Sequence, residues 1–295
     1  EENMAAESQA KTTPIIDEDP AARRSRSLWR DAARRLFRNK AAIMGLSIIA
    51  LLLLAAVFAP VVAPQNFAQQ KLVDNNKVPE WMLSVFPSMK PYAKISTDYP
   101  FGADYVGRDL LSRIIYGARV SLTVALIAPL LSLLIGVVFG SISGYVGGRV
   151  DNLMMRVVDV LYGFPSLLFI ILMMAFFRGT TTKLEPGTIS YALSQADAKL
   201  GGLLFIFVGI GLTAWETMAR LTRGQVLSVR QKEYIEAART IGTKDLRIMF
   251  KHILPNILGP LVVAETLAIP GYITTEAFLS FIGLGVNPPT PSWGS

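Results

Sequence analysis

Few residues in this chain are equipped for chemistry. His252 is the sole histidine and cysteine is absent, which excludes disulfides, thiolate metal sites, iron–sulfur clusters and any multi-histidine metal site. The carboxylates within apolar stretches, among them Asp159, Glu216, Glu265 and Glu276, are scattered. A membrane-embedded enzyme needs polar groups that converge, and no such set is visible, so no catalytic, cofactor-binding or metal-ligating residue is assigned. The chain also lacks a G-x-x-x-x-G-K-[ST] loop, so nucleotide chemistry must come from elsewhere. What remains is recognition chemistry, concentrated in "EYIEAARTIGTKDLRIMFKHILPN", residues 233–256, a charged stretch between two apolar ones.

That stretch parses as two short helices. Ser228 and Gln231 stand at capping-box spacing, which predicts a helix from near Val229 to Ile241, ended by Gly242 in the left-handed conformation. Thr243 is the expected N-cap of a second helix, with Asp245 at its positive end. Its apolar stripe reads Leu246, Met249, Phe250, Ile253 and Leu254, and Pro255 stops or kinks it at the membrane. In the resulting knuckle the small Ala237 and Ala238 permit close approach of another surface. Tyr234 can fill a pocket, and Glu233, Glu236 and Arg239 can set orientation. The residues alone leave two readings open: a plug for a groove on a partner, or a solvated loop with ordinary caps.

The elements that must carry this knuckle are membrane helices. The 295 residues are 52% hydrophobic and 17% charged, with mean hydropathy +0.41, too apolar for an ordinary soluble domain. Ala41–Ala63 is a charge-free run of 23 residues, long enough at about 1.5 Å per residue to cross a hydrocarbon core of about 30 Å. It is too long, and begins too far into the chain, for a signal peptide. Val120–Gly147, Val157–Phe177, Leu200 towards Arg220, and Ile257–Thr275 make five visible spans. A net charge of +7 raises nucleic acid as a partner, but the distribution of the charges points to a membrane surface. In "SRSLWRDAARRLFRNK", Leu28, Trp29, Ala32, Ala33, Leu36 and Phe37 share a helical face flanked by Arg30, Arg34, Arg35 and Arg38, as in an interfacial anchor.

Loop charges set the orientation. Residues 23–40 hold eight Lys/Arg against Asp31 alone, residues 64–112 hold five of each sign, and residues 220–252 hold eight Lys/Arg. Positive charge stays in the cytoplasm, so the amino terminus and the knuckle are expected inside. The organisation reads as a disordered tail (1–22), an amphipathic interfacial helix (23–40), a first span (41–63), an extracytoplasmic loop (64–116) and a core (117–295) with its cytoplasmic segment at 221–255. Arg108, Asp109, Arg113 and Arg119 suit an amphipathic helix feeding the second span.

Polar residues inside spans are costly, on the order of 3 kcal/mol at the centre for an ionised side chain. Glu265 must therefore face protein or water, either in a pathway or as a hydrogen-bond partner. Pro270 and Gly271 should loosen the same span, and Glu276 should sit at its outer end before the apolar "AFLSFIGLG". Asp151, Arg156 and Asp159 cluster near the start of the third span, where ion pairing is the plain expectation. Gly140, Gly144, Gly147 and Gly148 suit close helix packing. An ion channel would need a re-entrant filter or charged rings, and neither is evident.

Several stretches together resemble a known family. "EAARTIG" followed by Leu254-Pro255 is similar to the EAA signature of ATP-binding cassette importer permeases, E-A-A-x3-G-x9-I-x-L-P. Glu236, Ala237, Ala238, Gly242, Leu254 and Pro255 match it; His252 stands at the isoleucine position, with Ile253 beside it. "FGADYVGRDLLSRIIYGARVSL", "GYVGGRVDNLMMRVVDVLYGFPSLLF" and "EAFLSFIGLGV" resemble the C-type permease subunit of oligopeptide and dipeptide importers, and the likeness covers residues 25–295. It implies an all-α, polytopic helical permease of the type I, MetI-like importer kind in a bacterial inner membrane. Members run on past "PSWG", so a sixth helix is expected beyond Ser295. The resemblance further implies a homologous second permease, two cytoplasmic ATPase subunits or domains that supply ATP and Mg, and an extracytoplasmic peptide-binding protein. Glu233, Tyr234, Glu236, Ala237, Ala238, Arg239, Gly242, Leu254 and Pro255 would couple to the ATPases. Glu265, Pro270, Gly271 and Glu276 are the pathway candidates. Nickel, glutathione or another small solute is the alternative cargo.

Overall fold

The computed structural model describes residues 28–179 and 187–295. The expected tail and the first residues of the amphipathic segment lie outside them. Helix α1, Leu28–Arg38, ends at Asn39, whose side-chain oxygen accepts hydrogen bonds from the N–H groups of Ala41 (3.0 Å) and Ala42 (3.3 Å). Asn39 thereby caps α2, Lys40–Val57. Residues 28–51 belong to a unit of their own, and on α2 Met44, Ile48, Ile49, Leu51 and Leu54 stand exposed, as side chains facing lipid do.

The first span is shorter than the run of 23 apolar residues indicates. The chain turns at Phe58 and restarts as α3, Ala59–Val62, with a proline in its first turn. Pro60 has its φ fixed for a helix start but offers no N–H to continue α2. The following loop carries a two-residue parallel pairing, Val78–Pro79 with Ile95–Ser96, and α4, Glu80–Val85. It is tied by side chains: the Trp81 indole N–H donates to the Pro100 carbonyl (2.8 Å) and the Tyr99 hydroxyl to Asp74 (2.9 Å). Burial, then the adjacent Asp74 carboxylate, pushes Tyr99 up to about 12. Lys77 and then Tyr99 hold Asp74 below the ordinary carboxylate value through their hydrogen bonds.

Helix α5, Leu110–Val146, is continuous over 37 residues. The expected interfacial helix and second span are therefore one element. Asp109 is its N-cap, accepting from the backbone N–H of Ser112 at 2.8 Å. Arg119 donates to the carbonyls of Ala56 and Val57, satisfying acceptors that the end of a helix leaves open.

The third span is not a single rod. Helices α6, Gly148–Tyr162, and α7, Ser166–Gly179, meet at an angle of 77°. Pro165 lies in the break between them; it disfavours the helical conformation at Phe164 and contributes no N–H. Helices α8, Ile189–Lys199, and α9, Leu204–Arg230, follow, the latter extending well past the apolar run. Next come α10, Glu233–Thr240, α11, Asp245–Ile248, a π-helical turn over Met249–Ile253, and α12, Leu254–Phe281. Among the described residues four helical runs are long and apolar enough to cross a membrane, and the bent α6/α7 pair makes a fifth if it is one span.

Helices α5 and α9 run parallel in close contact because α5 presents Gly136, Gly140 and Gly144 to Met218, Ala219, Thr222 and Val226 of α9. A methyl group on Gly140 would lie 2.3 Å from the Ala219 carbonyl oxygen. Small residues at this period let helices approach without a hydrophobic driving force between them. Gly147 and Gly148, expected in the same role, instead form the turn into α6 at φ +72° and +59°.

Helix α12 packs in the opposite sense, its Ile257 and Leu261 joining the core formed by Met218 and Val226. Asp151 and Asp159 do not pair with Arg156, as their spacing indicates. Arg223 of α9 grips Asp151 through Nε and Nη2, both at 2.6 Å, with the Ser143 hydroxyl also on that carboxylate. Arg220 reaches Asp159 at 2.8 Å. Residues 285–295 return to the start of α5, where the Trp293 indole donates to the Ile114 carbonyl at 3.2 Å. The bundle thus has a loop end, with residues 63–109 and 285–295, and an elbow end built by α10 and α11.

Candidate functional site

The elbow is made by backbone geometry first. Gly242 follows α10 at φ +78°. Its N–H bonds the Arg239 carbonyl at 2.9 Å and that of Thr243 the Ala238 carbonyl at 3.0 Å. This pair of bonds is a Schellman motif, which closes the open carbonyls of a helix end and needs a left-handed residue between the two helices. The expected turn at Gly242 is thus realised, but the expected caps are not. Ser228 lies inside α9, and Lys232 and Lys244 stand at the N-cap positions of α10 and α11 with no side-chain cap.

Packing then fixes the elbow from behind. Ile235 and Ala238 of α10, Ile248 of α11 and Ile253 are buried together against Val226, Ile257 and Leu261. Ala238 therefore faces the core rather than outward, whereas Ala237 is exposed. Glu233, Tyr234, Glu236 and Arg239 stand outside as expected. The apolar stripe is also re-phased. Leu246, 74% exposed, and Phe250, 66% exposed, face outward, while Ile248 and Ile253 are fully buried. Five residues of α-helix advance about 500°, some 140° past a full turn. The wider π turn brings residues five apart back towards one face. Pro255 neither stops nor kinks the chain here: it sits in the first turn of α12 just after the π turn, where its missing N–H does no harm. Leu254 is half-buried against the same core.

A polar brace joins the elbow to α5. The Tyr145 hydroxyl is hydrogen-bonded to Asp245 at 2.5 Å. The guanidinium groups of Arg230 and Arg239 lie 5.9 and 5.4 Å from the Tyr145 ring centre, within cation–π range. Arg230 also donates to the Tyr145 carbonyl at 2.8 Å. Sequence reasoning missed Tyr145, a hundred residues from Asp245, and nothing local announces the pair. It also missed Ile241, 82% exposed at the tip, although an isoleucine beside the turn glycine was a signal. Beside the brace lies a cavity of about 750 Å³, lined mainly by α5 residues such as Val138 and Ile142 and by Leu246 and Phe250.

The pathway candidates separate. Glu265 and Gly271 line a second cavity, about 460 Å³, between α7, α9 and α12. Glu276 is fully buried and receives hydrogen bonds from Ser280 (2.7 Å) and Ser121 (3.2 Å), within the bundle. Pro270 is exposed on the far side of that turn, and it does not loosen α12, which runs unbroken through Pro260 and Pro270. Among the described residues no cluster of three or more His, Cys, Asp or Glu could hold a metal ion.

The described residues thus form a polytopic helical bundle that leaves a braced two-helix elbow outside its apolar core. Comparison with known proteins makes the class specific. Residues 136–295 match the family described as "Binding-protein-dependent transport system inner membrane component", and residues 27–79 match the N-terminal transmembrane domain of oligopeptide transport permease C. The chain belongs to this family of permease subunits. It is 40% identical over 95% of its length to the oligopeptide transport system permease protein OppC of Bacillus subtilis, of which it covers 79%. It is 41% identical over 92% of its length to OppC of Escherichia coli K12, covering 78% of that protein. A glutathione transport system permease, GsiD of Escherichia coli, is 31% identical over 99% of this chain and 83% of its own.

Proposed function

We propose that this chain forms half of the translocation pathway of an ATP-driven importer for oligopeptides or dipeptides, and that its elbow receives the motion of a cytoplasmic ATPase. The observation that carries this reading is the two-sidedness of α10–α11. One face, Ile235, Ala238, Ile248 and Ile253, is locked into the permease core, while the other displays Tyr234, Ala237, Ile241 and Leu246 to a partner. An exposed apolar set rimmed by Glu233, Glu236 and Arg239 is the anatomy of a docking surface. A rigid mounting lets a push on the elbow move α9 and α12 rather than be absorbed locally. The amino terminus and the elbow then lie in the cytoplasm, and the second permease and the peptide-binding protein complete the assembly. Identity of 40% to oligopeptide and dipeptide permeases, against 31% to the glutathione permease, favours peptide as cargo.

The test is co-purification from gently solubilised membranes with Ala237→Arg and Tyr234→Ala. We expect the second permease to remain and the ATPase to be lost. Ala237→Arg purifying with a full complement of ATPase would overturn the docking assignment.

A further inference from the structure

The cavity between α7, α9 and α12 has an unusual lining. Nine of its fifteen lining residues are aliphatic, alanine, glycine or methionine, six carry hydroxyl or carboxyl groups, and none is basic. Glu265 is its one carboxylate, 3% exposed, and the hydroxyl of Tyr272, on the same helix, donates to it at 2.8 Å. Ser166, Thr213, Thr217 and Thr275 bring further hydroxyls to the walls. Three other acids in the bundle show the contrast, while the buried Glu216 of α9 lines a separate cavity. Asp151 and Asp159 are each met by an arginine, and Glu276 is closed by two serine hydroxyls.

A carboxylate in an apolar cavity, without a cation beside it, is held there at a cost unless it is neutralised or paired. We propose that Glu265, positioned by Tyr272, binds the α-ammonium group of a peptide in transit. The inference deepens the transport reading and rests on it. Charge pairing with an ammonium needs one carboxylate at close range, and the surrounding hydroxyls supply acceptors for its remaining hydrogens. The aliphatic walls accept side chains without choosing among them, as a carrier of varied peptides requires. The site therefore selects for a free amino end and not for sequence.

Two measurements on the complete reconstituted importer test this. The first is uptake of a free-amino peptide by Glu265→Gln, which keeps size and hydrogen bonding but not charge, together with ATP hydrolysis stimulated by the loaded binding protein. We expect uptake to fall at least about tenfold, the scale of one charge-assisted hydrogen bond, with stimulated hydrolysis retained. The second is labelling of Glu265 by a hydrophobic carbodiimide, followed by mass spectrometry. A free-amino peptide should protect the residue and its N-acetylated counterpart should not. Equal protection by both peptides, or wild-type uptake by Glu265→Gln, overturns the proposal. Failure of the wild-type importer to take up any peptide, with Glu265 still protected by a simple alkylamine, sinks the peptide reading and leaves the ammonium site standing.

Discussion

Replacing Gly242 isolates the contribution of the elbow's shape. A Cβ built there meets nothing within 4 Å, so the first side-chain carbon fits and the backbone conformation carries the main effect of substitution. At φ +78° an L-residue with a side chain is disfavoured by roughly 1–2 kcal/mol, more if β-branched. Some stiffening of the unfolded chain offsets a few tenths of this. The balance should raise the fraction of open elbow by a factor of about 5–30. Hydrogen exchange at the Gly242 and Thr243 amides, which bond the Arg239 and Ala238 carbonyls, reads that opening directly. Gly242→Val should speed exchange by this factor and lower ATP-coupled uptake while leaving membrane insertion unchanged. Gly242→Asn, whose side chain tolerates the left-handed region, should behave nearly as wild type. Normal exchange and uptake in the valine variant, or equal damage from asparagine, would refute the reasoning.

Three further outcomes follow from the geometry. Gly140→Val places methyl carbons against the Ala219 carbonyl and Thr222 and should cost about 1–3 kcal/mol or more by overpacking, seen as a lower unfolding temperature in detergent. Asp151→Asn leaves Arg223 without its bidentate carboxylate and should destabilise by about 1.5–3 kcal/mol; Arg223→Met in the same chain should recover part of the loss. Asp104 is subject to burial, which raises it, but hydrogen bonds from the Arg108 backbone and guanidinium and the Val106 N–H prevail and hold its carboxyl below the ordinary value. A depressed carboxylate contributes stability that is complete above its unfolded pKa of about 3.9 and lost as pH falls through the lower folded value. Limited proteolysis of residues 64–109 should therefore stay slow down to about pH 4 and accelerate below it; acceleration already at pH 6 would contradict this.

Much of the fold was legible because hydrocarbon demands long apolar runs, and these mark the helices whatever they pack against. Breaks were harder to see. Pro165 divides α6 from α7, while Pro129, Pro260 and Pro270 leave their helices whole; whether neighbours re-satisfy the freed carbonyl decides the difference, and that is a tertiary matter. At the elbow, Gly242 was readable because only a special φ explains a glycine there. The inward turn of Ala238 and the outward turn of Leu246 and Phe250 were not, because periodicity presumes 3.6 residues per turn and the π turn over Met249–Ile253 breaks that assumption. The partners of Asp151 and Asp245 lie 72 and 100 positions away, beyond any local pattern.

The unbroken run of α5 has a mechanical meaning. Its 37 residues amount to a strut of about 55 Å, well beyond the hydrocarbon thickness of about 30 Å. One tip is clamped by Asp109 beside the returning segment at Trp293, and the other carries Tyr145 against the elbow. A single continuous helix thus links Asp109 and Tyr145, with Pro129 removing one backbone hydrogen bond along it.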